Sequence, residues 1–350
     1  MKERIEKFFG KDFSQDARIK LYDYIEDYIT SKVTDWTKAP DTDGIAASFA
    51  NDIKQLDKSD FAFLLLSTGY IPEFYSHDSS QETLYSKLVE VLVCEWAIRF
   101  GFTDSTIIKQ KASKEDVSIR LGNLIIVCDA KTYRLGRSQA APNVKDTIKK
   151  ADYDKWQENY RGKEINDGVF YSTIGGLITF PSLHRWKGGS DAYLYCTDKD
   201  DPIVILFYEY LAYMLIGGFS HETLINVLSN YGELFPAKTK DQHSYFAPVL
   251  EALFGKDNEE FTDFVKLTLE LTNELVAHKT KLVEEFIDNS KKTVEADIEK
   301  IPVEELKKRL IEAETKLISH QLKKQLVNIN KFRVEKGTKN KAIDPEEEIE

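Results

Sequence analysis

Apolar and polar positions recur along the chain with two different periods, and these periods predict both helices and strands. Apolar side chains stand at helical spacing in four segments of the amino-terminal part, residues 3–38, 45–55, 61–67 and about 80–100. Ser79 stands where a helix N-cap is expected, Glu82 lies in the first turn, and Gly101 ends the fourth helix. The first hundred residues are therefore predicted to be largely helical.

Strand patterns follow in the middle of the chain. Leu121 to Ala130 is short, β-branched and almost uninterruptedly hydrophobic, which predicts a buried strand. Residues 115–120 alternate polar and apolar, which predicts a partner strand joined to it by a turn at Gly122-Asn123. Two more strands are predicted at residues 168–171 and 203–207. The glycine-broken stretch 174–181 between them is interpreted as a loop at the sheet edge.

The carboxy-terminal part returns to helical periodicity. Leu267, Leu271 and Leu275 recur at helical intervals, and Pro302 is predicted to start another helix after a break. The last residues are charged and aperiodic, which predicts a disordered tail. The pattern thus divides the chain into an amino-terminal helical region, a central α/β region, a helical carboxy-terminal region and a tail, at residues 1–70, 71–255, 256–336 and 337–350.

Composition indicates the size of the core and the cellular compartment of the protein. The chain has 350 residues, of which 42% are hydrophobic, so it can bury a sizeable core. Its three cysteines, Cys94, Cys128 and Cys196, lie in apolar contexts without metal-ligand spacing, which predicts buried free thiols in a reducing cytoplasm. No apolar stretch has the roughly 18 residues of a membrane span or the pattern of a signal peptide, so we expect a soluble cytoplasmic protein without a membrane partner.

Three charged residues are predicted to meet at one end of the strand pair. Asp129 and Lys131 are two residues apart in a strand and point to the same side, and a hairpin brings Asp116 close to Asp129. Carboxylates suit Mg²⁺, and a lysine beside the ion can stabilise developing charge or orient and deprotonate a water. This set is what a magnesium-dependent phosphodiesterase needs. The alternative is a strand-end salt bridge of Asp129 with Lys131 or Arg134, which is worth little when exposed.

The net charge of −11 argues against a DNA-acting enzyme, but its distribution does not. Between Lys109 and Lys163 there are 13 Lys and Arg residues against 7 Asp and Glu residues. This basic block surrounds the three charged residues, so it could line a cleft for DNA within an otherwise acidic protein. Alternatively, the basic side chains merely decorate a surface.

Longer strings around these residues resemble the HindIII-type family of type II restriction endonucleases. The matching strings are Ile71-Pro72-Glu73, Ser80-Gln81-Glu82-Thr83-Leu84-Tyr85-Ser86-Lys87, Glu115-Asp116-Val117 and Asp129-Ala130-Lys131-Thr132-Tyr133-Arg134-Leu135-Gly136-Arg137. The last string is far more specific than its first three residues alone. The resemblance implies a PD-(D/E)xK nuclease, with Glu115 in place of the motif's proline. It also implies an α/β, restriction-endonuclease-like fold, in which helices flank a central mixed sheet and a helical extension follows.

The resemblance also implies roles for individual residues. Asp116, Asp129 and Lys131 are expected to be catalytic, and residues 71–255 form the nuclease core. Asp116, Asp129 and the backbone carbonyl of Ala130 are expected to bind Mg²⁺. Glu90, from the helix before the hairpin, would add a further carboxylate beside the metal ion. Alternatively, and with equal weight, Glu90 forms an ion pair with Lys87 or with a neighbouring strand residue.

The implied substrate is double-stranded DNA with a short palindromic site. A homodimer would cut one strand with each subunit and leave 5′-phosphate ends, and a cognate methyltransferase would act on the same site. The predicted DNA-binding residues are Lys87, Arg134, Arg137, Gln139, Asn143, Lys145 and Lys149. Among them Arg137, Gln139 and Asn143 are candidate base readers, because arginine suits guanine and side-chain amides suit adenine.

Two other functions stay open at this point. One is a nuclease of the same fold that acts in repair or defence without strict sequence specificity, and the other is a non-catalytic DNA-binding protein. Digestion of a plasmid in Mg²⁺ would distinguish these functions. Discrete fragments would indicate the restriction enzyme, a smear would indicate the less specific nuclease, and an intact plasmid would indicate the non-catalytic DNA-binding protein. The carboxy-terminal helices could form a dimer interface, clamp DNA or cover the sheet.

Overall fold

The chain folds into helices and one main sheet, and it divides into two units, Met1–Val283 and a second unit that starts at Glu284. The computed structural model describes residues 1–108, 114–136, 149–182, 192, 195–235 and 245–330, and only the backbone of residues 317, 318 and 320–330. The strands of the first unit are β1 Thr106–Ile107, β2 Val117–Leu121, β3 Leu124–Ala130, β4 Glu164–Asn166, β5 Val169–Phe170, β6 Ser172–Phe180 and β7 Ile203–Phe207.

The helices of the described residues are α1 Lys2–Phe9, α2 Gln15–Tyr22, α3 Tyr24–Lys32, α4 Thr42–Ile53, α5 Lys58–Leu66, α6 Ser80–Phe100, α7 Lys150–Glu158, α8 Tyr208–Ile216, α9 His221–Ser229, α10 Phe246–Phe254, α11 Glu259–Ile298 and α12 Val303–Asn330, with a 3₁₀ turn at Tyr231–Glu233. The segment predicted as helical over residues 3–38 is three helices, because Gly10 adopts a left-handed conformation and a short break follows it. The break at Pro302 between the last two helices is confirmed. Of the helices that the structure describes, none combines the length and apolar character of a membrane span.

The main sheet is mixed and has the strand order β1-β2-β3-β6-β7. The first three strands run antiparallel, with the predicted tight turn between β2 and β3. β3, β6 and β7 run parallel, and their residues 125–130, 175–180 and 203–207 are buried, as expected for parallel strands that are covered on both faces. The predicted fold class, a central mixed sheet flanked by helices with a helical carboxy-terminal part, is confirmed.

Helix α6 forms the centre of the first unit. Its predicted N-terminus is confirmed, since the Ser79 hydroxyl accepts a hydrogen bond from the Glu82 amide at 3.3 Å, and Gly101 ends it with φ 115°. The helix contacts β2 and β3 on one side and α3, α4 and α8 on others, so 14 of its 21 residues are buried. The indole nitrogen of Trp96 donates to the Leu211 carbonyl at 2.9 Å and ties α6 to α8.

The interpretation of residues 174–181 as an edge loop is wrong, because residues 174–180 belong to β6, an inner strand of the sheet. The glycines there are sites of close approach, and they do not interrupt the strand. A Cβ on Gly175, whose φ is +147°, would lie 2.7 Å from the Pro202 carbonyl oxygen. The strand predicted at residues 168–171 is instead the short β5, which pairs with β4 in a separate two-stranded sheet.

Candidate active site

The β2–β3 hairpin brings the two predicted aspartates together. In its antiparallel register Val117 pairs with Cys128, and the Asp116 amide donates to the Cys128 carbonyl at 3.0 Å. The Asp116 carboxylate in turn accepts a hydrogen bond from the Ala130 amide at 3.0 Å. Asp116 is therefore held across the end of β3, beside Asp129, as expected from the sequence.

Lys131 completes the cluster through an ion pair. Its Nζ lies 2.6 Å from Oδ2 of Asp129, and the Asp129 side chain is 9% exposed whereas that of Lys131 is 30% exposed. The salt bridge proposed as an alternative does exist, but it lies within a largely buried site beside a second carboxylate and does not stand alone on the surface. Two neighbouring elements fix the Lys131 backbone, since its amide donates to the Thr179 carbonyl and its carbonyl accepts from the Tyr208 hydroxyl at 2.8 Å.

Electrostatics distinguish the two partners of this ion pair. The pKa of the Asp129 carboxyl is raised from 3.8 to about 7, mainly by burial; Lys131 opposes the shift, and the neighbouring Asp116 adds to it. For Lys131, burial lowers the pKa, but the attraction of Asp129 and Asp116 outweighs it, so the net pKa is raised. Asp116 and Asp129 thus lie close together, and a divalent cation would relieve the repulsion between their carboxylates.

These residues line one pocket of about 370 Å³ at the carboxyl end of β3. The lining residues are Ser86, Glu90, Asp116, Asp129, Ala130, Lys131, Thr132, Lys149, Asp152, Tyr153 and Trp156. Five of these residues were not predicted from the sequence to belong to the site: Ser86, Thr132, Asp152, Tyr153 and Trp156. Ser86 and Thr132 lie in the strings that carry the family resemblance, and their hydroxyls hydrogen-bond to each other at 2.8 Å. The other three come from α7, and nothing in the local pattern indicated which face of that helix meets the site.

Both interpretations of Glu90 find support in its position. Its carboxylate lies 2.9 Å from Nζ of Lys87, and both side chains are almost fully buried. Glu90 also lines the pocket with the two aspartates. The Lys87 ammonium donates further to the Ile108 carbonyl at 3.3 Å. Lys87 is thus engaged inside the protein, where it neutralises Glu90, and this placement does not favour its predicted contact with DNA.

Arg134 is likewise buried. Its guanidinium donates to the carbonyls of Pro72, Glu73 and Ser76 at 3.0–3.3 Å and forms a salt bridge with Glu82 at 3.3 Å. The Gly136 amide adds a bond to the Glu73 carboxylate at 2.7 Å. The strings that carry the family resemblance therefore contact one another in space. Arg134 holds the segment after Lys131 in place, which again does not favour a direct DNA contact.

Of the other predicted DNA-binding residues, Lys149 is exposed at the rim of the pocket, at the N-terminus of α7. Arg137, Gln139, Asn143 and Lys145 lie outside the described residues. Among the described residues, Lys149 is thus a predicted DNA-binding residue at an accessible position beside Asp116, Asp129 and Lys131.

Comparison with known proteins agrees with this geometry. A family model described as HindIII restriction endonuclease matches residues 27–321, which is most of the chain. The chain belongs to the HindIII restriction endonuclease family. The Type II restriction enzyme HindIII of Haemophilus influenzae is 27% identical over 249 residues, which cover 68% of this chain and 73% of that enzyme. The prediction of a HindIII-type type II restriction endonuclease, and so of a site-specific deoxyribonuclease that acts on DNA, is confirmed.

Restriction endonucleases of this kind use a divalent metal ion, and the donors of the pocket fit one. Asp116 and Asp129 offer hard oxygen ligands, the Ala130 backbone stands between their ends, and Glu90 lines the same pocket. No group of three His, Cys, Asp or Glu side chains within the described parts of the chain could hold an ion by itself. Backbone carbonyl, water and substrate phosphate would have to supply the remaining ligands, as is usual for Mg²⁺.

Proposed function

We propose that the chain is a Mg²⁺-dependent restriction endonuclease that hydrolyses both strands of a short palindromic DNA site and leaves 5′-phosphate ends. The observation that carries the proposal is the convergence of Asp116, Asp129 and Lys131 in one pocket at the carboxyl end of β3. Cleavage of a phosphodiester needs stabilisation of negative charge and an activated water, and these residue types supply both.

In this proposal Asp116, Asp129 and the Ala130 carbonyl hold the ion, with Glu90 in reach of the same pocket. The bound ion would neutralise the phosphate and lower the pKa of a water. Lys131 would orient the attacking water and stabilise the developing charge, and its ammonium would have to leave Asp129 for this task. Lys87 lies 2.9 Å from the Glu90 carboxylate and would balance its negative charge inside the protein.

The remaining parts of the proposal concern DNA and assembly. Lys149 would contact a backbone phosphate beside the scissile bond, whereas Arg137, Gln139, Asn143 and Lys145 stay proposed contacts from the sequence. A homodimer would match a palindromic site by its own two-fold symmetry, and a methyltransferase would protect that site. The three free buried cysteines support a reducing compartment such as the cytoplasm.

Digestion of a plasmid and of a sequenced genome in Mg²⁺ tests the proposal. We expect discrete fragments whose sequenced ends share one palindromic site and carry 5′-phosphates. Asp129→Ala and Lys131→Ala should abolish cleavage and retain site-specific binding, and Lys20→Ala, at an exposed position of α2, serves as the matched control. Cleavage by both active-site variants at the wild-type rate would refute the assignment of the site. A smear would indicate a nuclease without strict specificity, and uncut DNA a binding protein.

A further inference from the structure

Tyr153, on α7, packs against the one position of β6 that can receive its ring. A Cβ on Gly176 would lie 2.6 Å from Cδ1 and 2.9 Å from Cε1 of Tyr153, closer than side-chain atoms approach. The ring is 1% exposed and packs against Trp156 with a centroid separation of 4.8 Å. The absence of a side chain at Gly176 therefore sets how deep the tyrosine enters the site.

This position places the ring on the face of the sheet that carries the catalytic aspartate. In the parallel register, Val127 pairs with Gly176 and Asp129 pairs with Ile178. Side chains alternate along a strand, and paired residues of neighbouring strands lie on the same face of the sheet. Gly176 and Asp129 therefore lie on one face, and the pair Cys128–Leu177 separates them. Tyr153 and Asp129 also line the same pocket. The tyrosine ring and Asp129 therefore lie on one face of the sheet and line one pocket at the carboxyl end of β3.

The hydroxyl of Tyr153 is the unexplained part of this arrangement. It is buried and finds no hydrogen-bond partner among the described residues, although buried tyrosine hydroxyls usually have one. Burial, and next the negative charge of Asp129, raise the pKa of this hydroxyl well above its ordinary value. The Tyr153 hydroxyl therefore keeps its proton and can donate a hydrogen bond. The relevant acceptor is the Asp129 carboxylate, which would lose its partner Lys131 during the proposed reaction.

We propose that Tyr153 is a positioning residue that donates a hydrogen bond to the Asp129 carboxylate once Lys131 has turned from that carboxylate to the substrate. In the structure Lys131 occupies Oδ2 of Asp129 at 2.6 Å, and the Tyr153 hydroxyl would hold the carboxylate in place beside a bound ion when Lys131 leaves. Gly176 is the residue that admits the ring to this position. This inference rests on the proposed metal-dependent cleavage at Asp129.

Tyr153→Phe is the sharpest test, because it removes the hydroxyl and keeps the ring against Gly176 and Trp156. We expect kcat to fall about tenfold or more, since a hydrogen bond to a charged acceptor is lost in the reacting complex. The KM for DNA and DNA binding in EDTA should not change. The Mg²⁺ concentration that gives half of the full rise in thermal midpoint, measured without DNA, should increase several-fold, because Asp129 is less well oriented.

Tyr22→Phe is the matched control. Tyr22 is also buried, and its hydroxyl donates to Glu274 at 3.1 Å among helices that do not line the site. This variant should keep the wild-type kcat and Mg²⁺ response. Gly176→Ala, which keeps the hydroxyl but displaces the ring, should show the same loss of kcat as Tyr153→Phe.

The outcomes separate this inference from the proposed function. If the wild-type protein does not cleave DNA in Mg²⁺, or Asp129→Ala still cleaves, the proposed function itself is wrong. If the wild type cleaves, Asp129→Ala does not, and Tyr153→Phe keeps the wild-type kcat and Mg²⁺ response, only the role of Tyr153 is overturned. A loss of kcat in Tyr153→Phe with a lowered thermal midpoint in EDTA would assign the hydroxyl to packing and also overturn the inference.

Discussion

Replacement of Asp129 by asparagine should stabilise the metal-free protein and abolish its activity. Asp129 is 6% exposed, lies beside a second carboxylate, and its pKa is raised from 3.8 to about 7. Between these two pH values the unfolded state has released its proton while the folded state retains it, so the free energy of unfolding falls as the pH rises. Below pH 3.8 no penalty exists, and above pH 7 it is complete. Asparagine resembles the protonated acid in shape and charge, and it never incurs this penalty.

The size of the effect follows from the difference in proton affinity between the folded and the unfolded state. A tenfold difference in this affinity is worth about 1.4 kcal/mol, so a pKa raised from 3.8 to about 7 lowers the free energy of unfolding by about 4 kcal/mol at pH 8. At pH 5 only the interval between pH 3.8 and pH 5 counts, so the loss is smaller, about 2 kcal/mol. Asp129→Asn should therefore exceed the wild type in stability at both pH values, and by more at pH 8. An ion bound at the site would stabilise the wild type and not Asp129→Asn, so the wild type would then be the more stable of the two proteins.

Urea denaturation in EDTA at pH 5 and pH 8 measures these differences, and plasmid cleavage in Mg²⁺ measures the loss of activity. Addition of Mg²⁺ at pH 8 should raise the thermal midpoint of the wild type and leave that of Asp129→Asn unchanged. A variant no more stable than the wild type at pH 8 would refute the reasoning, because it would mean that the folded protein accommodates the Asp129 charge without strain. If Asp129→Asn were more stable than the wild type and still cleaved DNA, Asp129 would not be a catalytic residue.

Three further predictions follow from particular contacts. Burial raises the pKa of Glu26 to about 7, although the charge of Lys279 opposes the shift. The free energy of unfolding should therefore fall by up to about 3 kcal/mol between pH 4.5 and pH 7. Urea denaturation of Glu26→Gln should show a weaker dependence on pH. Arg134→Ala should cost about 2–4 kcal/mol in the free energy of unfolding, and Arg134→Lys should not restore it, since one ammonium cannot reach several carbonyls at once. Lys149→Ala should weaken DNA binding in EDTA and reduce the slope of log affinity against log salt by about one, whereas Lys20→Ala should leave the slope unchanged in the same anisotropy assay.

The elements that could be predicted from the sequence are those whose determinants are local. The N-cap serine and terminal glycine of α6, the tight turn of the β2–β3 hairpin and the helix break at Pro302 all depend on residues a few positions apart. The same holds for the catalytic cluster, because the hairpin alone brings Asp116, Asp129 and Lys131 to one end of a strand. Long-range pairing decided the placement of β6, and its glycines therefore misled a local interpretation.

Sequence alone thus determined the family, the fold class and the three charged residues at the end of β3, because each is encoded in a contiguous string or a short spacing. Tertiary structure decided which other side chains share the pocket. It brought Glu90 and Tyr153 to Asp129 from helices on either side of the hairpin in the chain, and it withdrew Lys87 and Arg134 into the interior. Burial and partner choice depend on packing between distant segments, and no local pattern of apolar and polar residues specifies that packing.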